Sequence, residues 1–127
     1  MVVAEALGVL LISGQYDRAH FAFVLATGAA ALGRRVTMFA TNEGCHAMLL
    51  DWEGLADAGR DEIVRARGVA GLDELRAAAG ELGVRLLVCE AGLRASDLLA
   101  ARLSPGVEVV GVASFLDSVG HGQIVSL

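Results

Sequence analysis

The sequence predicts an α/β fold: a three-layer, doubly wound sandwich of about five mainly parallel strands with helices on both faces. Three observations predict it. Short apolar runs such as LGVLLIS and VTMFA read as strands buried on both faces, which is the mark of a parallel sheet. Helical patterns rich in Ala and Leu fall between these runs, so strand and helix alternate along the chain. With 127 residues, of which 55% are hydrophobic and 20% charged, the chain has length and apolar content for one core and no more. It is read as a single domain spanning 1–127.

Leu7 to Ser13 is the first strand, ended by Gly14. From Asp17 to Leu32 small and apolar residues (Ala19, Phe23, Ala26, Ala30) recur at helical spacing, Asp17 opens the run and Gly33 closes it, so a tightly packed crossover helix follows. Val36 to Ala40 gives the second strand, Thr41 to Gly44 a polar turn, and Cys45 to Trp52 a short helix. Glu53 to Gly68 is the least ordered stretch by composition, a lid or an oligomer contact, with a turn or two of helix at Asp61 to Arg67. Leu72 to Leu82 reads as a helix stopped by Gly83, and Val84 to Val88 as a third strand ending at Cys89. Ser96-Asp97 opens a helix through DLLAARL, which Ser104-Pro105-Gly106 ends. Val107 to Val112 is a fourth strand, Ser114 to Val119 a brief helix, and Gln123 to Leu127 the last strand.

Composition narrows the function classes. All ten basic residues are Arg and 15 are acidic, leaving a net charge of -5 with no basic stripe, which disfavours nucleic-acid binding. The mean hydropathy of +0.59 raises the membrane question. The charge-free stretch His20 to Gly33, however, is about 14 residues against the roughly 18 to 20 that a spanning helix needs, so no membrane insertion is expected. The start, MVVAEALGVLLISGQYD, has no basic region and does not read as a signal peptide, which makes a cytoplasmic location the expectation. Cys45 and Cys89 are then free thiols rather than a structural bridge. Surplus apolar content, together with the single Trp52, is expected to be used in contacts between copies of the chain.

Ligand crevices in such sheets lie beyond the carboxyl ends of the strands. That rule selects Ser13, Tyr16, Asp17 and His20 after the first strand, Asn42, Cys45 and His46 after the second, and Cys89 and Arg94 after the third, with Trp52 able to close over them. The segment Ser13 to Asp17 lacks both the dinucleotide glycine spacing and the P-loop Lys. Cys89 has the strongest claim to chemistry. A thiol at the end of an interior strand, near helix N-termini and Arg94, sits where the thiolate is favoured, although a buried Cys is also an ordinary small hydrophobe. Cys45 and His46 form a second pair, read as a second thiol with a neighbouring imidazole. A mixed Cys/His metal site with His20 and Cys89 is the alternative, but no C-x-x-C or H-x-x-x-H completes one and no metal is assigned. His20 is equally a hydrogen-bonded core His, Asp17 a helix-opening acid, and Trp52 core or interface filling.

At this point the residues resemble a known family. VCEAGLRASDLLAARLSPGVEVVGVASFLDSVGHGQIVSL is similar to the C-terminal half of the DsrE/DsrF-like proteins, with Cys89 where that family has a Cys. LLISGQYDRAHFAFVLATGAAALGRRVTMFA looks like the same family's first strand, Ala-rich helix and second strand. The resemblance implies a small α/β subunit that assembles into dimers, trimers or hexamers and, in some members, passes sulfur as a cysteine persulfide. Relay subunits of that family carry a doubled Arg and a Gly after the Cys, whereas Arg94 stands alone here.

The first reading is therefore a sulfur-carrier or sulfurtransferase-like subunit in which Cys89 accepts sulfane sulfur, Arg94 and backbone amides stabilise its thiolate, and Cys45 or a partner protein receives the sulfur. It needs no organic cofactor, and its partners are a sulfur donor or acceptor protein and further copies of the chain. The alternative is a non-catalytic, oligomeric protein that binds a small molecule or anion in the crevice.

Overall fold

A computed structural model describes residues 5–127. The expectation that the first residues form no signal peptide falls partly on 1–4, outside the described residues. Strands β1 (Leu7–Leu11), β2 (Val36–Ala40), β3 (Arg85–Cys89), β4 (Glu108–Val110) and β5 (Gln123–Ser126) form one sheet in the order β4-β3-β2-β1-β5. Every neighbouring pair is parallel. Helices α1 (Tyr16–Ala31), α2 (Arg60–Ala66), α3 (Leu72–Glu81), α4 (Glu90–Ala95) and α5 (Val112–Val119) connect the strands, with a 3-10 helix at Asn42–Met48. Among the described residues no helix is long and apolar enough to cross a membrane.

Side chains alternate across the sheet and divide its core in two. Leu7, Val9, Leu11, Val36, Met38, Ala40, Leu86 and Val88 join Ala19, Phe23 and Ala26 of α1, Leu72 and Ala79 of α3, and Cys45 and Met48 in the larger cluster. Small buried residues on α1 bring it close to the strands, and Gly33, at φ +85°, supplies the left-handed residue that stops it. On the other face Phe39 and Leu87 meet Phe115 and Val119 of α5, with Leu10, Cys89 and Val110 at the margin. This second layer lies close because β1 carries Gly8 there. A Cβ at Gly8 would stand 2.5 Å from Val119 Cγ2 and 2.9 Å from Phe115 Cζ.

The elements follow the expected order with five differences. β4 covers only Glu108–Val110 of the strand expected over Val107 to Val112, because Gly111 turns the chain and Val112 already opens α5, two residues before the expected Ser114. β1 ends at Leu11, two residues early, because the amides of Ile12 and Ser13 turn to the Leu127 carbonyl. The helix after β2 begins at Asn42 rather than Cys45, ends at Met48, and is 3-10 rather than α. Glu53 to Gly68 is tied down rather than loose: Ala56 N–H donates to the Gly14 carbonyl at 2.8 Å, Tyr16 N–H donates to the Ala56 carbonyl at 2.9 Å, and Asp61 is buried. The helix expected over DLLAARL is absent. Asp97 has φ +55°, and the segment instead crosses to the β2 side, where Leu50 N–H donates to the Arg102 carbonyl and Ser104 N–H to the Met48 carbonyl. The helix of this region is α4, which begins immediately after Cys89.

Candidate functional site

Cys89 ends β3 and caps α4. Its φ and ψ of -73° and 120° keep it extended while the chain turns into the helix, and its Sγ accepts the Gly92 N–H at 3.3 Å. Glu90 in the first turn and Arg94 in the last suit the helix dipole and pair with each other at 2.5 Å. The Arg94 guanidinium is thus held by Glu90 on the exposed side of α4, and not by the Cys89 sulfur as the sequence reading had it. Cys89 is half-buried and Cys45 fully buried; both are free thiols.

Cys45 lies against the same helix. A Cβ on Gly92 would stand 3.0 Å from Cys45 Sγ, so the peptide that serves Cys89 also packs on the second sulfur. Burial, with Cys89 and Glu43 nearby, pushes the Cys45 thiol up to about 11. It is protonated at neutral pH, and its S–H points to the Ala40 carbonyl at 3.9 Å. Its neighbour His46 does not turn to either thiol: Nε2 lies 3.4 Å from Glu43 Oε2, and the ring packs against Gly54. Glu43 also accepts the Ser96 hydroxyl at 3.2 Å, tying the end of α4 to the 3-10 helix. Asn42 begins that helix at φ +50°, with its amide beside Gly92.

The remaining expected residues do not join this group. Ser13 Oγ accepts the Gln15 amide at 3.1 Å. Tyr16 is wholly buried, and its hydroxyl donates to Asp61 Oδ1 at 2.6 Å, so it is a core residue and not a crevice wall. Asp17 pairs with Arg60 at 2.8 Å. His20 Nε2 is 2.8 Å from the Ala70 carbonyl and its ring lies 5.5 Å from that of Tyr16. Trp52 Nε1 donates to Asp73 Oδ1 at 2.8 Å, and its indole leans on Tyr16 at 6.0 Å. These contacts run to α2 and α3, and there Trp52 walls a cleft of about 630 Å³. The cleft does not include Cys89, and its carboxylates (Glu53, Asp61, Glu62, Asp73, Glu74) face one Arg65, the wrong sign for an anion.

Three residues to which sequence reasoning gave no role shape this region: Gly92 and Glu43, which it placed at this edge of the sheet, and Arg76, which it did not single out. Gly92 supplies the donor at Cys89, Glu43 bridges Ser96 and His46, and Arg76 clamps the loop after the 3-10 helix. The Arg76 guanidinium is buried and donates to the carbonyls of Ala47, Leu49 and Leu50. A signal for Gly92 was present: Glu90 and Arg94 at i,i+4 spacing mark a helix starting at Cys89, which puts residue 92 in its first turn.

Comparison with known proteins agrees with this architecture. A model described as the DsrE/DsrF/DrsH-like family matches residues 4–51. The sulfur carrier protein DsrE2 of Allochromatium vinosum is 25% identical over 152 aligned positions, covering 94% of this chain and 96% of that protein. The uncharacterized protein YrkE of Bacillus subtilis is 24% identical over 147 positions, covering 91% and 92%. Among solved structures, the ychN protein from E. coli superposes with a TM-score of 0.68 at 9% identity, covering 97% of this chain and 99% of that one. MTH1491 from Methanobacterium thermoautotrophicum, a protein of unknown function, superposes with a TM-score of 0.65 at 18% identity, over 97% and 99%. The two structures establish the α/β fold, and the family match over residues 4–51 with the near full-length sulfur-carrier relative makes this chain similar to the DsrE/DsrF/DrsH-like family.

Proposed function

We propose that the protein is a sulfur carrier that holds sulfane sulfur as a persulfide on Cys89. The observation that carries this reading is the contrast between the two thiols. Cys89 is half-buried at the carboxyl edge of the sheet with an N–H directed at its sulfur, and Cys45 is sealed and protonated. The thiolate is the form that attacks, and the Gly92 N–H is aimed at the sulfur that would carry its charge. In the loading step the Cys89 thiolate attacks the outer sulfur of a donor persulfide, the donor thiolate leaves, and the new S–S bond lies on Cys89. An acceptor thiolate then attacks that outer sulfur and returns Cys89 as thiolate. No net oxidant or reductant is consumed.

Cys45 is the buried neighbour in this scheme and the acceptor is a partner protein, because a protonated, enclosed thiol is a poor nucleophile. Support from outside the chain comes from the relative described as a sulfur carrier. The anion-binding alternative draws none from the acid-lined cleft beside Trp52. Incubation with a sulfane-sulfur donor, read by intact mass, tests the proposal. One added sulfur atom that reductant removes is expected for the native chain and for Cys45→Ser, and none for Cys89→Ser. Equal loading of Cys89→Ser, or no loading of the native chain, rejects the reading.

A further inference from the structure

We propose that Gly92 is the positioning residue for the Cys89 thiol: its missing side chain lets α4 approach the loop after β2 closely enough to hold the Gly92 N–H on Cys89 Sγ. The inference rests on the reading of Cys89 as the reactive thiol. Two observations meet at this one residue. The Gly92 amide is the donor to Cys89 Sγ at 3.3 Å. A Cβ at the same position would meet Asn42 N, Cys45 Sγ and Thr41 Oγ1, each at 3.0 Å.

Two of the three opposing groups, Asn42 N and Cys45 Sγ, are held in place. Thr41 N–H is bound to the Leu11 carbonyl at 2.9 Å and Gly44 N–H to the Ile12 carbonyl at 3.1 Å, which fixes the backbone on both sides of Asn42. Cys45 is completely buried. An added methyl therefore displaces α4 rather than the loop. The far end of α4 is held by the Ser96 hydroxyl on Glu43 at 3.2 Å, so the helix pivots at its start, where the contact to sulfur lies. Movement of the helix start lengthens and misaligns that contact, which stands at 3.3 Å. Other glycines set the contrast: Gly28, Gly80 and Gly111 face open space.

The test is the pH dependence of Cys89 alkylation by iodoacetamide, followed by intact mass, in the native chain, Gly92→Ala and the control Gly80→Ala. Gly92→Ala is expected to react about tenfold more slowly near neutral pH, with its midpoint displaced upward by about one pH unit, as loss of a hydrogen bond to a charged acceptor implies. Gly80→Ala is expected to match the native profile. Removing the opposing sulfur in Gly92→Ala/Cys45→Ala is expected to recover part of the loss. A native profile in Gly92→Ala, or a slowed profile that Cys45→Ala leaves untouched, overturns the proposal. A measurement on the native chain covers the case in which Gly92→Ala does not fold. The Gly92 amide proton shift should move through the pH midpoint of Cys89 alkylation and stay flat in Cys89→Ser, and a flat amide in the native chain overturns the proposal. Both readouts concern the thiol alone, so absence of sulfur loading would reject the carrier reading without deciding this one.

Discussion

The Tyr16 hydroxyl donates to Asp61 Oδ1 inside the core, and the same carboxylate accepts the Leu72 amide at 2.8 Å and Arg65 Nε at 2.9 Å. Burial alone would raise the Asp61 carboxyl, but these donors and the Arg65 charge outweigh it and hold the group below its usual range. A carboxylate depressed in the folded state adds stability that is complete above its unfolded pKa and is lost as pH falls through the folded one. The window thus opens below about pH 4. Urea midpoints measured from pH 6 downward should fall through that window in the native chain and less steeply in Asp61→Asn. Tyr16→Phe keeps the ring packing and removes one donor, and should cost about 2 kcal/mol at neutral pH, the scale of a lost hydrogen bond to a charged group. A native urea midpoint in Tyr16→Phe would show that the bond contributes nothing. Sequence reasoning put Tyr16 in the loop after the first strand and gave it to a ligand, whereas it opens α1 and is buried in the core. Nothing in the local sequence indicates that a carboxylate 45 positions away would take its hydroxyl.

Among the elements, α5 is the helix that the second-face core cluster rests on. Phe115 stacks on Phe39 at 5.2 Å with rings 13° apart, and both are almost fully buried. Phe115→Ala is therefore expected to destabilise the fold by about 3 kcal/mol, through lost transfer and an unfilled cavity. Gly8→Val should do so by a different route, pushing α5 off β1. Thermal unfolding of both variants checks this, and a native Tm in either would show that α5 does not depend on that contact. Both strands β2 and β3 and helices α1 and α3 were legible because a buried strand and an amphipathic helix are local patterns. α4 was not. Its six residues contain Gly92, and the pattern ASDLLAARL beyond it has better local helix propensity. What overrides propensity there is packing: residues 97–104 bond to the chain at Met48 and Leu50, which a helix would forbid.

For the whole molecule, the second face carries an apolar surface that one protomer leaves open. Val112, Leu116 and Ile124 are each between 42% and 55% exposed on or beside the layer that carries Cys89 and α5. Apolar area of this kind is what an association surface supplies. We propose that the protein works as a homo-oligomer through this side. Sedimentation at micromolar concentration should give a species above the 13.1 kDa of one chain, and Leu116→Glu should shift it toward the protomer. A 13.1 kDa species in the native protein would reject the assembly.

The sequence by itself determined the alternation of strand and helix, the parallel sheet, and the placement of Cys89 at the end of an interior strand, because each follows from periodicity and chain order. It brought Cys45, His46 and Asn42 to the same edge by the same rule. Only the tertiary structure decided what those groups do. It sealed Cys45 beneath α4, turned Arg94 to Glu90, and gave Tyr16 to Asp61 and Trp52 to Asp73. It also made Gly92 the residue between the two thiols. The physical reason is range. Periodicity is set by neighbours three or four residues away, whereas burial, charge pairing and the room beside a sulfur are set by segments distant in the chain that only folding brings together.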